Sequence, residues 1–235
     1  ITVALTSDRM EEVRRQAALA RSFDIEVHEI SPAEIGERYP HLNLSGVVGG
    51  VFLPGDGQCD PAHVAMALAK GARQRDAQIF EGIKVTGIEQ RDGRITGIRW
   101  SRSDGDNARD GVIETDIVIN CAGMWARDFA AGAGVNVPLH ACEHFYIVSE
   151  PIEGLGQLPV LRVPDECAYY KEDAGKILLG AFEPEAKPWG MAGIPDDFAF
   201  ATLPDDLDHF APILEAATRR LPVLETAGIQ TFFNG

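Results

Sequence analysis

Basic residues are scarce in this chain. Its 235 residues hold 21 Lys and Arg against 36 Asp and Glu, a formal net charge of -15. A surface of that sign repels phosphate backbones and anionic headgroups, which argues against nucleic-acid and membrane-surface binding. No stretch is apolar for the roughly 18 residues that a membrane span needs. The run Ile117-Val118-Ile119 is too short and reads as a buried strand. The start has no basic segment, and Asp8 and Arg9 break its apolar run, so it is not read as a signal peptide. Cysteines number four, at 59, 121, 142 and 167, with no C-x-x-C pair. That pattern is read as packed free thiols in a reducing compartment, and a cytoplasmic location is expected. No spacing of His, Cys and acids suits a metal. No Ser or Cys has a matching His and acid for a hydrolase.

Hydrophobic residues make up 45% and charged residues 24%, ordinary for a globular chain. Helices are expected after Asp8, with Val13, Ala17 and Ala20 on one face, and after Ser31-Pro32-Ala33-Glu34, a capping box. A third should run from Asp60-Pro61 to about Asp76 with Val64, Leu68 and Ala72 buried. Phe23 to Ile30 reads as a strand and Leu44 to Leu53 as extended. Strand pieces are expected over Gln78 to Gln90, then a hairpin at Arg91-Asp92-Gly93-Arg94 with strand to Trp100. Ser101 to Gly111 reads as a surface loop. Asp116 to Asn120 reads as a buried strand, Cys121-Ala122-Gly123 as the tight turn leaving it, and Trp125 to Ala131 as the next helix.

From Val137 onward short strands dominate: His144 to Ser149, Leu161 to Pro164, Ala168 to Lys171 and Lys176 to Phe182. Glu183 to Ala199, rich in Pro and Gly, reads as a long loop. Asp205 to Arg220 is helical around Pro212, and a strand follows Thr226. The pattern implies an α/β (α+β) fold, an α/β piece joined to a mixed or antiparallel sheet.

Three segments in order carry a family likeness: Pro54 to Pro61 with its helix; Lys84 to Ile88 with the hairpin and Ile117 to Ala126; and Glu143 to Val148 with Leu158 to Arg162 and Tyr169-Tyr170-Lys171. Together they resemble the glycine oxidase/D-amino-acid oxidase-type flavoproteins, in particular dimethylglycine and sarcosine dehydrogenase. The resemblance implies an internal piece of such an enzyme. Residues 1–136 would be part of an FAD-binding domain, with leading substrate-domain elements at about 1–53, and residues 137–235 a truncated substrate-binding sheet domain. The family's G-x-G-x-x-G turn for the pyrophosphate occurs nowhere in this sequence, so the piece is expected to lack bound flavin and activity by itself.

The implied reaction moves a hydride from an N-methyl carbon to FAD, with an N-methyl amine as substrate and a folate-binding domain or electron acceptor as partner. His144 and Tyr169 are the expected catalytic residues: an imidazole near its ordinary pKa can relay a proton, and a phenol can hydrogen-bond a carboxylate or amine. Tyr146, Tyr170 and Arg162 are expected to line the substrate. Adjacent strand residues face opposite ways, so only one of Tyr169 and Tyr170 can face it directly, and the resemblance favours Tyr169. Val85, Cys121, Ala122, Gly123 and Trp125 are expected to contact FAD. Bland readings stand beside these: a strand histidine, a structural salt bridge for Arg162, a core valine, and strand-to-helix packing at 121–125. A folded module without flavin is the alternative class. A glycerol-3-phosphate dehydrogenase-like reading would need a cationic pocket, which Glu143 to Val148 does not supply.

Overall fold

The computed structural model describes residues 1–104 and 107–235. The chain forms two compact units: residues 1–58, 143–187 and 200–235, and residues 59–142 with 188–199.

The first unit opens with β1 (Thr2–Ala4) and α1 (Ser7–Arg21), continues through β2 (His28–Ile30), α2 (Pro32–Arg38) and β3 (Gly49–Phe52), and leaves the unit after Gln58. Thr6 caps α1 by accepting from the Arg9 amide, two residues earlier than the Asp8 and Glu11 spacing suggested. Its buried side is Met10, Val13 and Ala17. The box at α2 forms as expected: the Ser31 hydroxyl accepts from the Glu34 amide and the Glu34 carboxylate accepts from the Ser31 amide. The strand expected from Phe23 shrinks to His28–Ile30, because Phe23 and Ile25 are 70% and 48% exposed and sit outside the sheet.

In the second unit α3 (Pro61–Arg73) is capped by Asp60. The strands β4 (Lys84–Arg91), β5 (Arg94–Asp104) and β6 (Asn107–Glu114) form an antiparallel sheet in that order. Asp92 and Gly93 take positive φ in the expected hairpin turn. Three expectations fail here. No residue of α3 is buried; Val64 and Leu68 are 42% and 69% exposed, because among the described residues of the unit none covers its apolar side. In place of the loop expected at 101–111, residues 101–104 continue β5 and residues 107–111 belong to β6, cross-strand pairing overriding the polar composition; residues 105–106 of that expectation lie outside the described residues. Residues 116–120 form no strand, with Ile117 70% and Ile119 82% exposed, since none of the described strands pairs with them. The helix α4 (Ala126–Ala131) follows a 3-10 turn at Gly123–Trp125.

The chain re-enters the first unit with β7 (Phe145–Ser149), β8 (Leu161–Val163), β9 (Ala168–Asp173) and β10 (Lys176–Ala181), then α5 (Leu207–Arg220) and β11 (Ile229–Asn234). Ala174 and Gly175 make the β9–β10 turn at positive φ. Pro212 lies inside α5 and removes one backbone donor, yet the helix continues because Phe210, Ile213 and Ala217 are buried. The sheet runs β11-β7-β10-β9-β8-β1-β3-β2, all antiparallel except β1 beside β8. One face is closed. Leu161, Tyr170, Leu179 and Ile147 stand in register across it and share a buried cluster with Ile35 and Tyr39 at α2 and with Phe210 and Ala217 of α5.

Candidate active site

A period of two sends the neighbours of those core residues to the other face. There Val51, Thr2, Arg162, Tyr169, Gly180, Tyr146 and Phe233 pair in one continuous row across seven strands, β3-β1-β8-β9-β10-β7-β11. At the β3 end Val51 is buried with Val13 and Ala17 of α1, so that end is roofed. Toward β11 the row carries half-buried Tyr169 and Tyr146, and the Tyr146 ring stacks on Phe233 with centroids 4.5 Å apart.

Arg162 is exposed, and among the described residues no acid forms an ion pair with it; its guanidinium lies 5.7 Å from the Phe182 ring centroid. It borders a hollow of about 290 Å³ that also touches Arg9, Thr2, Cys167 and Phe182. Arg9 is engaged with Asp165, at 3.0 Å. That leaves Arg162 as the cation of the hollow best placed to take an incoming carboxylate.

His144 stands one residue before β7. Its Nδ1 is 3.1 Å from Glu183 Oε2, and the other oxygen of Glu183 accepts from the Phe145 amide at 2.9 Å. The Glu183 side chain is 5% exposed. Its hydrogen bond raises the His144 pKa above 6.5, against the opposing pull of burial. Burial pushes Glu183 up, but the bonds from His144 and from backbone amides outweigh it and leave it below 4.5. With Nδ1 committed to Glu183, Nε2 is the nitrogen left to a ligand. Phe182 links the groups: its ring is 6.2 Å from that of His144 and 5.3 Å from that of Tyr169. Burial, and then the charge of Glu183, raise the Tyr169 pKa above 10.0, and burial raises that of Tyr146. Both phenols are therefore neutral hydrogen-bond donors at neutral pH.

The structure thus brings His144, Tyr169, Tyr146 and Arg162 to one face. Tyr170 goes the other way: it is fully buried in the core, which removes it from direct contact with anything on the open face. Glu183, Phe182, Phe233 and Gly180 join the site without having been singled out in the sequence. Their membership depends on the β7–β10 and β7–β11 registers, which no local spacing reveals.

The expected flavin-contacting residues all lie in the second unit. Val85, on β4, is 41% exposed, and Trp125 is 42% exposed. The turn at Cys121-Ala122-Gly123 is pinned by Asn120, whose Oδ1 accepts from the Ala122 amide at 3.1 Å and whose Nδ2 donates to Ala126 O at 2.9 Å. Gly123 has φ +54, and a Cβ there would meet nothing within 4 Å. Open backbone beside a half-exposed Trp fits one wall of a cofactor site. It does not amount to a pyrophosphate cradle, because the Ala122 amide is already used and the sequence has no glycine-rich loop of that kind. Among the described residues no cluster of His, Cys, Asp and Glu could hold a metal ion, and no helix is long and apolar enough to cross a membrane.

A mixed sheet with one closed and one open face, the open one carrying a clamped histidine, two neutral phenols and, among the described residues, an arginine without an ion pair, defines an α/β protein. The whole chain, residues 1–235, matches the family described as DAO, FAD dependent oxidoreductase, and it belongs to that family. It is 37% identical over 97% of its length to mouse mitochondrial sarcosine dehydrogenase, covering 24% of that protein. It is 34% identical over its full length to 4-methylaminobutanoate oxidase (formaldehyde-forming) of Paenarthrobacter nicotinovorans, covering 27% of it. It is also 33% identical over its full length to the mouse mitochondrial pyruvate dehydrogenase phosphatase regulatory subunit, covering 26% of it. The chain spans about a quarter of the length of these relatives. All of it superposes on L-proline dehydrogenase from P. horikoshii with a TM-score of 0.79 at 21% identity, covering 58% of that chain. The chain therefore shares the fold of that structure. The resemblance seen in the ordered segments therefore holds.

Proposed function

We propose that the parent of this chain is an FAD-dependent oxidoreductase acting on an N-methyl amine that carries a carboxylate, such as sarcosine or dimethylglycine, and that the open face of the eight-stranded sheet is its substrate site. We assign the first unit to the substrate side and the second to the flavin side. The observation that carries the proposal is the row itself, with Arg162, Tyr169 and Tyr146 in register and His144 clamped beside them. The relatives' names support the substrate class.

FAD, when bound, supplies the acceptor for a hydride. Arg162 pairs with the substrate carboxylate and fixes one end of a small molecule. An ammonium has no lone pair to assist loss of hydride from its methyl group, so it must first lose a proton. Neutral His144, donating Nδ1–H to Glu183, takes that proton at Nε2, and the negative charge of Glu183 stabilises the imidazolium that results. Tyr169 and Tyr146 donate hydrogen bonds and, with Phe182 and Phe233, exclude water from the reacting carbon. A folate-binding domain or an electron acceptor would dispose of the product and the electrons. The four cysteines are free thiols, but Cys59 and Cys121 are exposed rather than packed as expected; the mouse relatives are named mitochondrial.

The test is anaerobic mixing of the full-length parent with sarcosine, dimethylglycine and glycine. Bleaching of the oxidised flavin band at about 450 nm by an N-methyl amine is expected. A yellow protein that none of them bleaches would end the N-methyl amine reading. A second reading, a folded module without catalysis, is favoured by the likeness of this chain to 26% of a regulatory subunit; it predicts a colourless parent.

A further inference from the structure

We propose that Gly180 is a positioning residue of the amine site, because its missing side chain is what lets the Tyr169 ring lie across β10 toward Tyr146. The proposal rests on the reading that the open face holds the amine.

Gly180 is the one position in the open stretch of the row without a side chain. A Cβ built on it would fall 1.9 Å from Tyr169 Cζ, 2.1 Å from its Oη and 2.4 Å from its Cε1, all far inside the 3.0 Å below which something must shift. The atom in the way is the hydroxyl end of the phenol, so the ring crosses the strand with Oη over Gly180. Backbone geometry does not demand glycine here: unlike Gly175 in the adjoining turn, Gly180 has no positive φ. It is an ordinary strand residue paired on both sides, with Tyr169 and with Tyr146, and both chain neighbours, Leu179 and Ala181, are fully buried. Glycine inside a strand weakens it and often marks a close approach by another group. Here the approaching group is a functional side chain.

The ring cannot lift off without losing its other neighbour. Phe182 packs against it at 5.3 Å, and Phe182 also touches His144 and Arg162. A methyl group at position 180 therefore displaces Tyr169 from the place where its hydroxyl lies between Arg162 and Tyr146. It leaves the buried face and the Glu183–His144 clamp intact.

The experiment uses the full-length parent with Gly180→Ala, Tyr169→Ala and the double variant. Flavin reduction is measured with whichever amine bleaches the unaltered protein. Gly180→Ala should slow reduction about tenfold to a hundredfold, while the flavin spectrum stays the same. The double variant should be no slower than Tyr169→Ala alone, because Gly180 acts only through that ring. Unchanged reduction in Gly180→Ala, or slowing that multiplies in the double variant, would overturn the proposal. A second readout does not need activity. The phenolate absorbance of Tyr169, isolated by difference from Tyr169→Phe, should titrate above the ordinary tyrosine range in the parent and move back toward it in Gly180→Ala. If no amine bleaches the parent, the substrate reading fails and this titration still decides the role of Gly180. If Gly180→Ala does not fold, the double variant, which has room for the methyl, should fold; failure of both would show that glycine is required by something other than Tyr169.

Discussion

In the first unit, Leu161, Tyr170, Leu179 and Ile147 cross the sheet with at most 2% of their surface exposed. In the second, Val64 and Leu68 of α3 and the pair Ile117 and Ile119 stand 42% to 82% exposed. Both sets follow good hydrophobic periodicity. What separates them is whether the strands and helices of the same unit supply a partner surface. The first unit closes one face of its sheet with α2 and α5 and leaves much of the other face open. The second has apolar faces that its own elements leave uncovered.

The difference can be broken most directly by comparing two leucines. Leu179→Ala in this chain should cost about 2 to 5 kcal/mol, because it empties a site in the closed core. Leu68→Ala, on the uncovered side of α3, should stay within about 0.5 kcal/mol. Denaturant unfolding of the two variants measures both. A Leu68 cost like that of Leu179 would mean that α3 is packed after all.

A smaller effect sharpens the account of the open face. Glu183→Gln removes the charge that holds His144. The His144 pKa, raised in the folded protein, should drop back toward 6.5 when followed by NMR. The sign of the stability effect follows by linkage. The raised His144 contributes stability that is full below 6.5 and is lost as pH rises through its folded value. The lowered Glu183 contributes stability that is present above 4.5 and is lost as pH falls through its folded value. The gap between parent chain and variant should therefore be widest between about pH 4.5 and 6.5 and narrow on either side. A gap that grows steadily above pH 7 would show that the pair does not work this way.

Much of the fold could be read locally. The Ser31 capping box, the Asp60 cap, the Asp92-Gly93 turn and the strands from β7 to β10 all rest on signals within a few residues of one another. What failed depended on distant partners. Residues 116–120 have strand composition but no neighbouring strand among those described, and residues 101–104 and 107–110 have loop composition but pair with one another. The site divides in the same way. His144, Tyr146 and Tyr169 lie in segments whose alternation and family likeness point to them. Glu183 and Gly180 enter only because β10 lies between β7 and β9, a pairing that the order of segments does not state.

The central claim is that chemistry belongs to the open face, and adjacent tyrosines on one strand test it. Tyr169→Phe and Tyr170→Phe each remove a single hydroxyl, one on each side of β9. Anaerobic flavin reduction in the full-length parent should slow about tenfold or more with Tyr169→Phe and stay near the parent rate with Tyr170→Phe. Equal slowing by both, or slowing by Tyr170→Phe alone, would contradict the assignment of the open face as the substrate site.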